Sequence, residues 1–485
     1  MSHINNGDNM KKQSIWLKDF KNSITILDKD IDCDILIIGA GITGLSTAYH
    51  LINSNLKVVV VDKDEIGNDV TARTTGKITY LQELIYTRLK KELSEEISKN
   101  YLESQLEAID ILTNIIEKEK IECDLEQVKS FVFTKDKKEL KKLKEEKELL
   151  EKFGIDVLDY NNAIGVNNTY VFHPIKYLMK LKEIVLNNNI EIYEKTNIIE
   201  IKKEDECICL TENNKIKAKK VVLACHYPFF LFPLLFPIKD HLEKSYVGAI
   251  KNKNRKISMI NTKIPSTSLR YHHDYMIYLN NSHPISTNNN DKDNFDSLIN
   301  TTKKLGNIDY IWSNHDIITV DHLPIISKIT DDLLIGTGYN TWGMTNGTLA
   351  GKILSDIILN RKNKFIDLFS LKRHKSLNTF ANVLVEILRN GKSFTMNKIV
   401  KNKNWYSSNL EFKKIAGEDI AIYTDDNNEK HTVYNKCPHL GCSLIFNEFE
   451  KTWDCPCHGS KFDIDGNCLR GPSKYNISYK KIMLL

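Results

Sequence analysis

Hydrophobic and polar positions follow two rhythms along this chain, one helical and one of buried or alternating strands. Near the N-terminus CDILIIGAG reads as a buried strand, ITGLSTAYHLINS has apolar residues at helical spacing, and LKVVVVD is a second buried strand. Residues 80–121 and 136–153 are long and charged with a helical apolar period. Within them KDKKELKKLKEEKELLEKFG alternates in charge and predicts a helix with a solvated face. Residues 174–188 read as helix, and short alternating strands fill 190–224. Residues 245–320 mix strands with the polar segment NNSHPISTNNNDKDNFD, which predicts a loop. LLIGTG at 333–338 is a further buried strand, followed by a Gly-containing turn and a helix near 347–360. Residues 361–403 are basic and partly helical. From about residue 404 the texture changes to short strands and turns dense in Cys and His.

At 485 residues the chain is long for one domain and predicts two or three. Lys and Arg outnumber Asp and Glu by 68 to 63, an excess too small over this length to imply a nucleic-acid partner. The polar start MSHINNGDNMKKQS has no apolar stretch of the kind a signal peptide needs, so the expected location is cytoplasmic. The longest uncharged apolar run, VVLACHYPFFLFPLLFPI from Val221 to Ile238, begins as a strand and is broken by Pro228, Pro233 and Pro237. It is rejected as a transmembrane helix and read as an apolar loop facing substrate or another domain, with a membrane-touching loop as the alternative. Of ten cysteines, Cys33, Cys123, Cys207, Cys209 and Cys225 are scattered, whereas Cys437, Cys442, Cys455, Cys457 and Cys468 crowd the C-terminal end. Such clustering reads as metal binding before it reads as a disulfide framework.

Two motifs carry chemistry. The first is Gly39-Ala40-Gly41-Ile42-Thr43-Gly44, a G-x-G-x-x-G that follows a strand, opens a helix and is followed by Asp62 at the end of the next strand. Gly39 permits the tight turn, Gly41 lets backbone approach a pyrophosphate, and Gly44 lets helix and strand pack closely. The helix N-terminus offers free N–H groups and a favourable dipole to phosphates. Asp62 is suited to accept the hydrogen bonds of a ribose diol. No second such motif occurs in strand–turn–helix context, which argues against a nicotinamide site.

TARTTGKIT at Thr71 to Thr79 and GTGYNTWGMTNG at Gly336 to Gly347 then resemble segments of the D-amino-acid-oxidase-like family of FAD-dependent oxidoreductases. SNHDIITVDHLPII at 313–326 and FHPIKYL at 172–178 are similar to further family elements, so the resemblance spans most of residues 30–360. It implies FAD as the dinucleotide, with Arg73, Thr74 and Thr75 along the cofactor and Gly338, Gly343 and Met344 closing over its flavin end.

The second motif pairs Cys437-Pro438-His439 with Cys455-Pro456-Cys457-His458: C-x-H, then fifteen residues, then C-x-x-H. This is the ligand pattern of a Rieske [2Fe–2S] cluster, in which Cys437 and Cys455 bind one iron and His439 and His458 the other. A Cys/His zinc site is the rival reading. The wider match, CPHLGC, CPCHGSKFD and Gly471-Pro472, resembles the Rieske domains of cytochrome bc-type complexes and ferredoxins, and together with Gly441 and Gly459 it weighs against zinc. The resemblance further implies a disulfide between Cys442 and Cys457, although such bonds are unusual in the cytosol. It also implies a hydrogen bond from Ser460 to a cluster sulfur. High-potential members place a Tyr where this chain has Phe462, so a potential below the highest Rieske values is expected.

The expected fold is therefore α/β followed by all-β. Residues 1–30 form an N-terminal extension, and 31–365 a Rossmann-type FAD-dependent oxidoreductase. FAD-binding segments lie near 31–80, 155–225 and 310–360, with an α+β substrate domain interleaved between them. Residues 366–403 are a connection, and 404–485 a small Rieske domain. The combination resembles a group whose FAD relatives oxidise amines or amino acids. It implies electrons passing from a small substrate through FAD and the cluster to an external acceptor. The alternative is an electron-transfer protein serving a protein partner. Residues 271–286 and PFFLFPLLFP depart from the group's pattern and leave the substrate open. No catalytic side chain is named: His226, Tyr227, His272, His273 and Tyr275 are more simply packed or solvated. A ring-hydroxylating oxygenase would need a mononuclear iron site, but His315, Asp316, Asp321 and His322 fall in the family's strand pair and read as structural. A respiratory-complex subunit would need a membrane anchor, and none is visible.

Overall fold

The structure, a computed structural model, describes residues 10–227, 240–263, 265–285, 291–373 and 409–479. The apolar loop beyond Tyr227 and most of the connection before residue 409 lie outside the described residues. The chain divides into two compact units. The first comprises Met1–His226, Lys244–Ser282 and Leu298–Phe380, and the second Tyr227–Glu243, His283–Ser297 and Ala381–Leu485.

The first unit is built on a parallel sheet. Strand β1 (Ile31–Ile38) lies between β2 (Val58–Val61) and the strand Lys215–Leu223. Leu333–Thr337 and Glu191–Tyr193 extend the sheet on either side, both parallel to their neighbours. All four residues of β2 are buried valines. β-Branched residues suit a strand covered on both faces, which is the environment of a parallel sheet between helices. Helix α1 (Ile42–Leu51) and the late helix Gly343–Ile358 pack on it and on each other. That contact is close because Gly347 and Gly351 present no side chain: a Cβ at Gly351 would sit 2.3 Å from the Cβ of Ser46, and one at Gly347 would sit 2.6 Å from Ile42 Cγ2.

A second, mostly antiparallel sheet includes Glu126–Phe133, Ala163–Val171, Ile257–Asn261, Ser268–His272 and the short strand Lys77–Ile78. Three helices follow the charged, periodic stretches: Ile85–Glu92, Glu95–Lys118 and Glu139–Lys152. Among the described residues no helix is long and apolar enough to cross a membrane.

Two boundaries differ from expectation. The polar stretch read as a loop contains a helix, Asp291–Thr302. Asp291 and Asp293 occupy its first turn, where carboxylates favour the positive end of the helix dipole, and Phe295 is fully buried. The late helix begins at Gly343, a turn earlier than its apolar pattern, so Gly343 and Met344 lie in its first turn.

The second unit holds two small antiparallel sheets. One is Leu410–Ile415, Glu418–Thr424 and Lys430–Tyr434; the other is Ile445–Asn447, Thr452–Asp454, Lys461–Phe462 and Cys468–Arg470. Trp453, Val433 and Phe462 are fully buried in their shared core, against which Cys437, Cys442 and Cys455 pack. The flanking segments of this unit close on it. Ile285 N–H donates to the Leu242 carbonyl at 2.9 Å, and the Phe295 ring stacks on Phe449 with centroids 3.9 Å apart.

Candidate functional site

The glycine-rich turn has the geometry its sequence demands. Gly39 has φ +107°, and a Cβ there would lie 2.7 Å from the Ala224 carbonyl oxygen. At Gly44 a Cβ would fall 1.8 Å from the Gly39 carbonyl oxygen, so β1 and α1 meet with no room for a side chain. Gly41 differs: a Cβ there would meet only Thr71 Oγ1, at 3.3 Å. Gly41 is the N-cap of α1 and makes no side-chain cap bond. Thr71 Oγ1 accepts from Ile42 N–H at 3.4 Å, and the glycine at the N-cap leaves the helix N-terminus open to close approach by a dinucleotide pyrophosphate. Asp62 follows β2, and one of its carboxylate oxygens accepts from Ala40 N–H at 2.7 Å while the other accepts from Asp64 N–H at 3.0 Å. Burial pushes this carboxyl up to about 6. Each oxygen keeps a lone pair for an external donor such as a ribose hydroxyl.

The late segment closes on the same turn. Tyr339 Oη lies 2.7 Å from Thr43 Oγ1, and Gly338 takes φ +71° where a Cβ would sit 2.6 Å from Thr319 Cγ2. Met344 is buried. Arg73 ends the helix Val70–Arg73, and Thr74 and Thr75 continue from it in non-helical backbone toward Gly76 and the strand Lys77–Ile78.

The sequence did not single out what holds this strap. Trp312 Nε1 donates to the Arg73 carbonyl at 2.9 Å, Trp16 Nε1 to that of Thr74 at 2.7 Å, and Arg270 Nε to that of Thr75 at 2.7 Å. Lone tryptophans and an arginine in a strand carry no spacing signal that would have marked them. Trp16 comes from the N-terminal extension, which is packed into the first unit: Lys11 exchanges backbone hydrogen bonds with Asp309 and Ile311, and Asn22 binds the buried Lys182–Glu194 ion pair.

The candidate acid–base residues have structural partners. His272 meets Trp16 and His173 edge to face, His273 Nε2 is 3.4 Å from an Asp124 oxygen that also binds Lys176, and Tyr275 Oη donates to Asp309 at 2.8 Å. The His226 carbonyl accepts from Thr337 Oγ1 at 2.6 Å, and burial beside Asp240 raises the Tyr227 phenol. Asp321 forms a buried pair with Arg373 that holds its carboxyl low, His322 lies 3.5 Å from Arg88, and His315 and Asp316 lie within a strand.

In the second unit two loops share one backbone design. Gly441 N–H donates to the Cys437 carbonyl, and Gly459 N–H to that of Cys455, each at 2.9 Å. Gly441 has φ +79° and Gly459 φ +71°, left-handed values that favour glycine. Cys437 and Cys455 are each 1% exposed, and their thiols share a hydrogen bond that holds Cys437 down to about 7 and Cys455 up. The rings of His439 and His458 stand 4.9 Å apart at 87°. Their Nδ1 atoms are buried with no hydrogen-bond partner among the described residues, and burial holds both imidazoles neutral, with values of about 4. Two orphaned neutral imidazole nitrogens and two buried thiols match in kind the two-His, two-Cys ligand set of a Rieske centre. A disulfide joins Cys442 and Cys457, linking one loop to the other. Ser460, fully buried, accepts from Ser473 N–H at 2.9 Å and directs its hydroxyl at the Cys437 sulfur. Phe462 is fully buried in the core and Cys468 contacts the carbonyls of Arg470 and Ser473. The second loop rests on its flanking segment: a Cβ on Gly459 would lie 2.6 Å from Leu242 Cδ1 and 3.1 Å from Ile285 Cδ1.

Comparison with known proteins agrees with this geometry. Residues 34–357 match the model of the FAD dependent oxidoreductase family, and residues 397–480 that of the Rieske [2Fe-2S] domain. The Rieske 2Fe-2S iron–sulfur protein YhfW of Bacillus subtilis is 29% identical over 93% of this chain and 94% of its own. Gamma-glutamylputrescine oxidoreductase of Escherichia coli is 22% identical over 70% of this chain and 86% of its own. Among solved structures, glycine oxidase from Geobacillus kaustophilus superposes with a TM-score of 0.60 at 14% identity, over 71% of this chain and 99% of its own, a likeness of fold. The chain belongs to the FAD-dependent oxidoreductases, and carries a Rieske [2Fe-2S] domain after its oxidoreductase region.

Proposed function

We propose that the chain oxidises a small amine or amino acid and hands the electrons to an external acceptor by way of both cofactors. The observation that carries this reading is the pairing on one polypeptide of a glycine-rich nucleotide turn with a two-Cys, two-His centre. FAD when bound accepts a hydride, and a Rieske cluster relays electrons singly. The chain's own part is to bind, orient and insulate. In this reading Gly39, Gly41 and Gly44 admit the pyrophosphate, Asp62 takes the ribose, and Arg73, Thr74 and Thr75 run along the cofactor. Gly338, Gly343 and Met344 close its flavin end. Cys437, His439, Cys455 and His458 hold the irons. The substrate class rests on relatives named for gamma-glutamylputrescine and glycine.

Anaerobic titration with amines and amino acids tests this directly. The expected result is loss of the oxidised flavin absorbance together with growth of the reduced-cluster EPR signal. Bleached flavin with a permanently oxidised cluster would refute the relay. A second reading, an electron carrier for a protein partner, is favoured by the structural partners of His272, His273 and Tyr275. It predicts that no small amine reduces the flavin although a low-potential protein donor does.

The potential of the cluster tests the assignment of Ser460 and Phe462. A charge-assisted hydrogen bond of about 1.5–3 kcal/mol corresponds to about 65–130 mV in a one-electron couple. Ser460→Ala is expected to lower the potential by an amount of that order and Phe462→Tyr to raise it, read by EPR-monitored redox titration. Unchanged potentials in both variants would remove these residues from the cluster's hydrogen-bond set.

A further inference from the structure

The strap from Arg73 to Gly76 has irregular backbone between a helix and a strand, yet four consecutive carbonyls each receive a buried side-chain donor. Trp312 serves Arg73, Trp16 serves Thr74, and Arg270 serves both Thr75 and Gly76, the last at 3.2 Å. Arg270 also donates to the carbonyls of Phe172 and Tyr271, so among the described residues its hydrogen-bond contacts are backbone carbonyls rather than carboxylates. Its guanidinium carbon lies 4.9 Å from the Trp16 ring centroid, so the two donors are themselves stacked. Gly76 has φ +71°, and a Cβ there would fall 2.7 Å from Arg270 Nη2. The guanidinium therefore fills the space where a side chain would otherwise stand. Burial draws Arg270 down to about 9, which marks the cost of keeping a charge in this place. Trp16 is 1% exposed and lies outside residues 34–357, the region matched by the oxidoreductase family model.

We infer that Trp16 is a positioning residue of the FAD site: stacked on Arg270, it fixes the carbonyls of the strap and so the conformation in which the strap meets the cofactor. This rests on the reading that Arg73, Thr74 and Thr75 contact FAD. A strap against a ligand must be rigid without being helix or strand, and buried carbonyls in such a segment need donors from elsewhere. An indole N–H supplies one, and its ring supplies a flat surface for the guanidinium. The N-terminal extension is thus part of the cofactor site, clamped at a second point where Asn22 meets Lys182 and Glu194.

The test replaces Trp16 in the full-length protein by Phe, and separately by 3-benzothienylalanine, which keeps the ring shape and removes only the N–H. FAD affinity is read by fluorescence on reconstituting the flavin-free protein, with the flavin absorbance spectrum as a second readout and the cluster EPR signal as an internal control. Both variants are expected to bind FAD roughly tenfold more weakly, with a shifted flavin spectrum and an unchanged cluster signal. Wild-type affinity and spectrum in both would overturn the inference. So would an equal loss in Asn22→Ala, which loosens the extension without touching the strap. Arg73→Ala and Thr75→Ala separate the two levels. If they weaken FAD binding while the Trp16 variants do not, the inference alone fails; if neither pair does, the strap reading fails as well.

Discussion

Replacing Cys455 by serine is expected to strip the iron from this protein and leave its flavin in place. The side chain is 1% exposed and hydrogen-bonded to Cys437, and its loop is closed by Gly459 N–H on its own carbonyl. A serine hydroxyl there offers a hard, protonated oxygen where a soft thiolate is required. The buried Nδ1 atoms of His439 and His458 would remain without a ligand. Iron content should fall from about two per chain to near zero, and the reduced-cluster EPR signal should vanish. FAD content should stay at the wild-type level, because Gly39, Gly41, Gly44 and Asp62 belong to the first unit. His458→Ala is expected to give the same outcome. One zinc and no iron per chain in the wild-type protein, with no reduced-cluster EPR signal to lose, would instead favour a Cys/His zinc site.

Gly44→Ala is expected to have the converse effect. The new methyl would stand 1.8 Å from the Gly39 carbonyl oxygen and 3.3 Å from Ile37 Cγ2, and the first of these is backbone that no rotamer change moves. Overpacking typically costs about 1–3 kcal/mol, and a backbone clash at the foot of α1 belongs at the upper end. On the proposal that the N–H groups at this helix N-terminus meet the pyrophosphate, FAD affinity should drop by about 100-fold while the cluster EPR signal persists. Gly41→Ala provides the contrast. Its Cβ would meet only the Thr71 hydroxyl, at 3.3 Å, a side chain that can give by a few tenths of an ångström, so thermal stability without FAD should fall far less than in Gly44→Ala, and the lost affinity beyond that measures how closely the cofactor approaches that backbone. If Gly44→Ala binds FAD normally, the tight approach of β1 and α1 is not what shapes the nucleotide turn.

The local chemistry was legible in the sequence because it sits in short contiguous motifs. Gly39, Gly41 and Gly44 with Asp62 lie within one strand–helix–strand unit, and C-x-H with C-x-x-H marks two loops whose glycines enforce the turn. The long charged helices were legible for the same reason, since their period is local. The helix at Asp291 was not: its first turn reads as loop by composition, and only burial of Phe295 reveals its packed face.

By itself the sequence determined that an FAD-dependent oxidoreductase region is followed by a Rieske [2Fe-2S] domain, since glycine conformation and thiolate or imidazole chemistry are properties of the residues in place. Only the tertiary structure decided that Trp16, Trp312 and Arg270 converge on one irregular strap from positions up to 296 residues apart, that the N-terminal extension is part of the first unit, and that Leu242 and Ile285 lie beneath the second cluster loop. These are long-range hydrogen bonds and packing contacts, and no periodicity along the chain encodes which distant carbonyl an indole will reach.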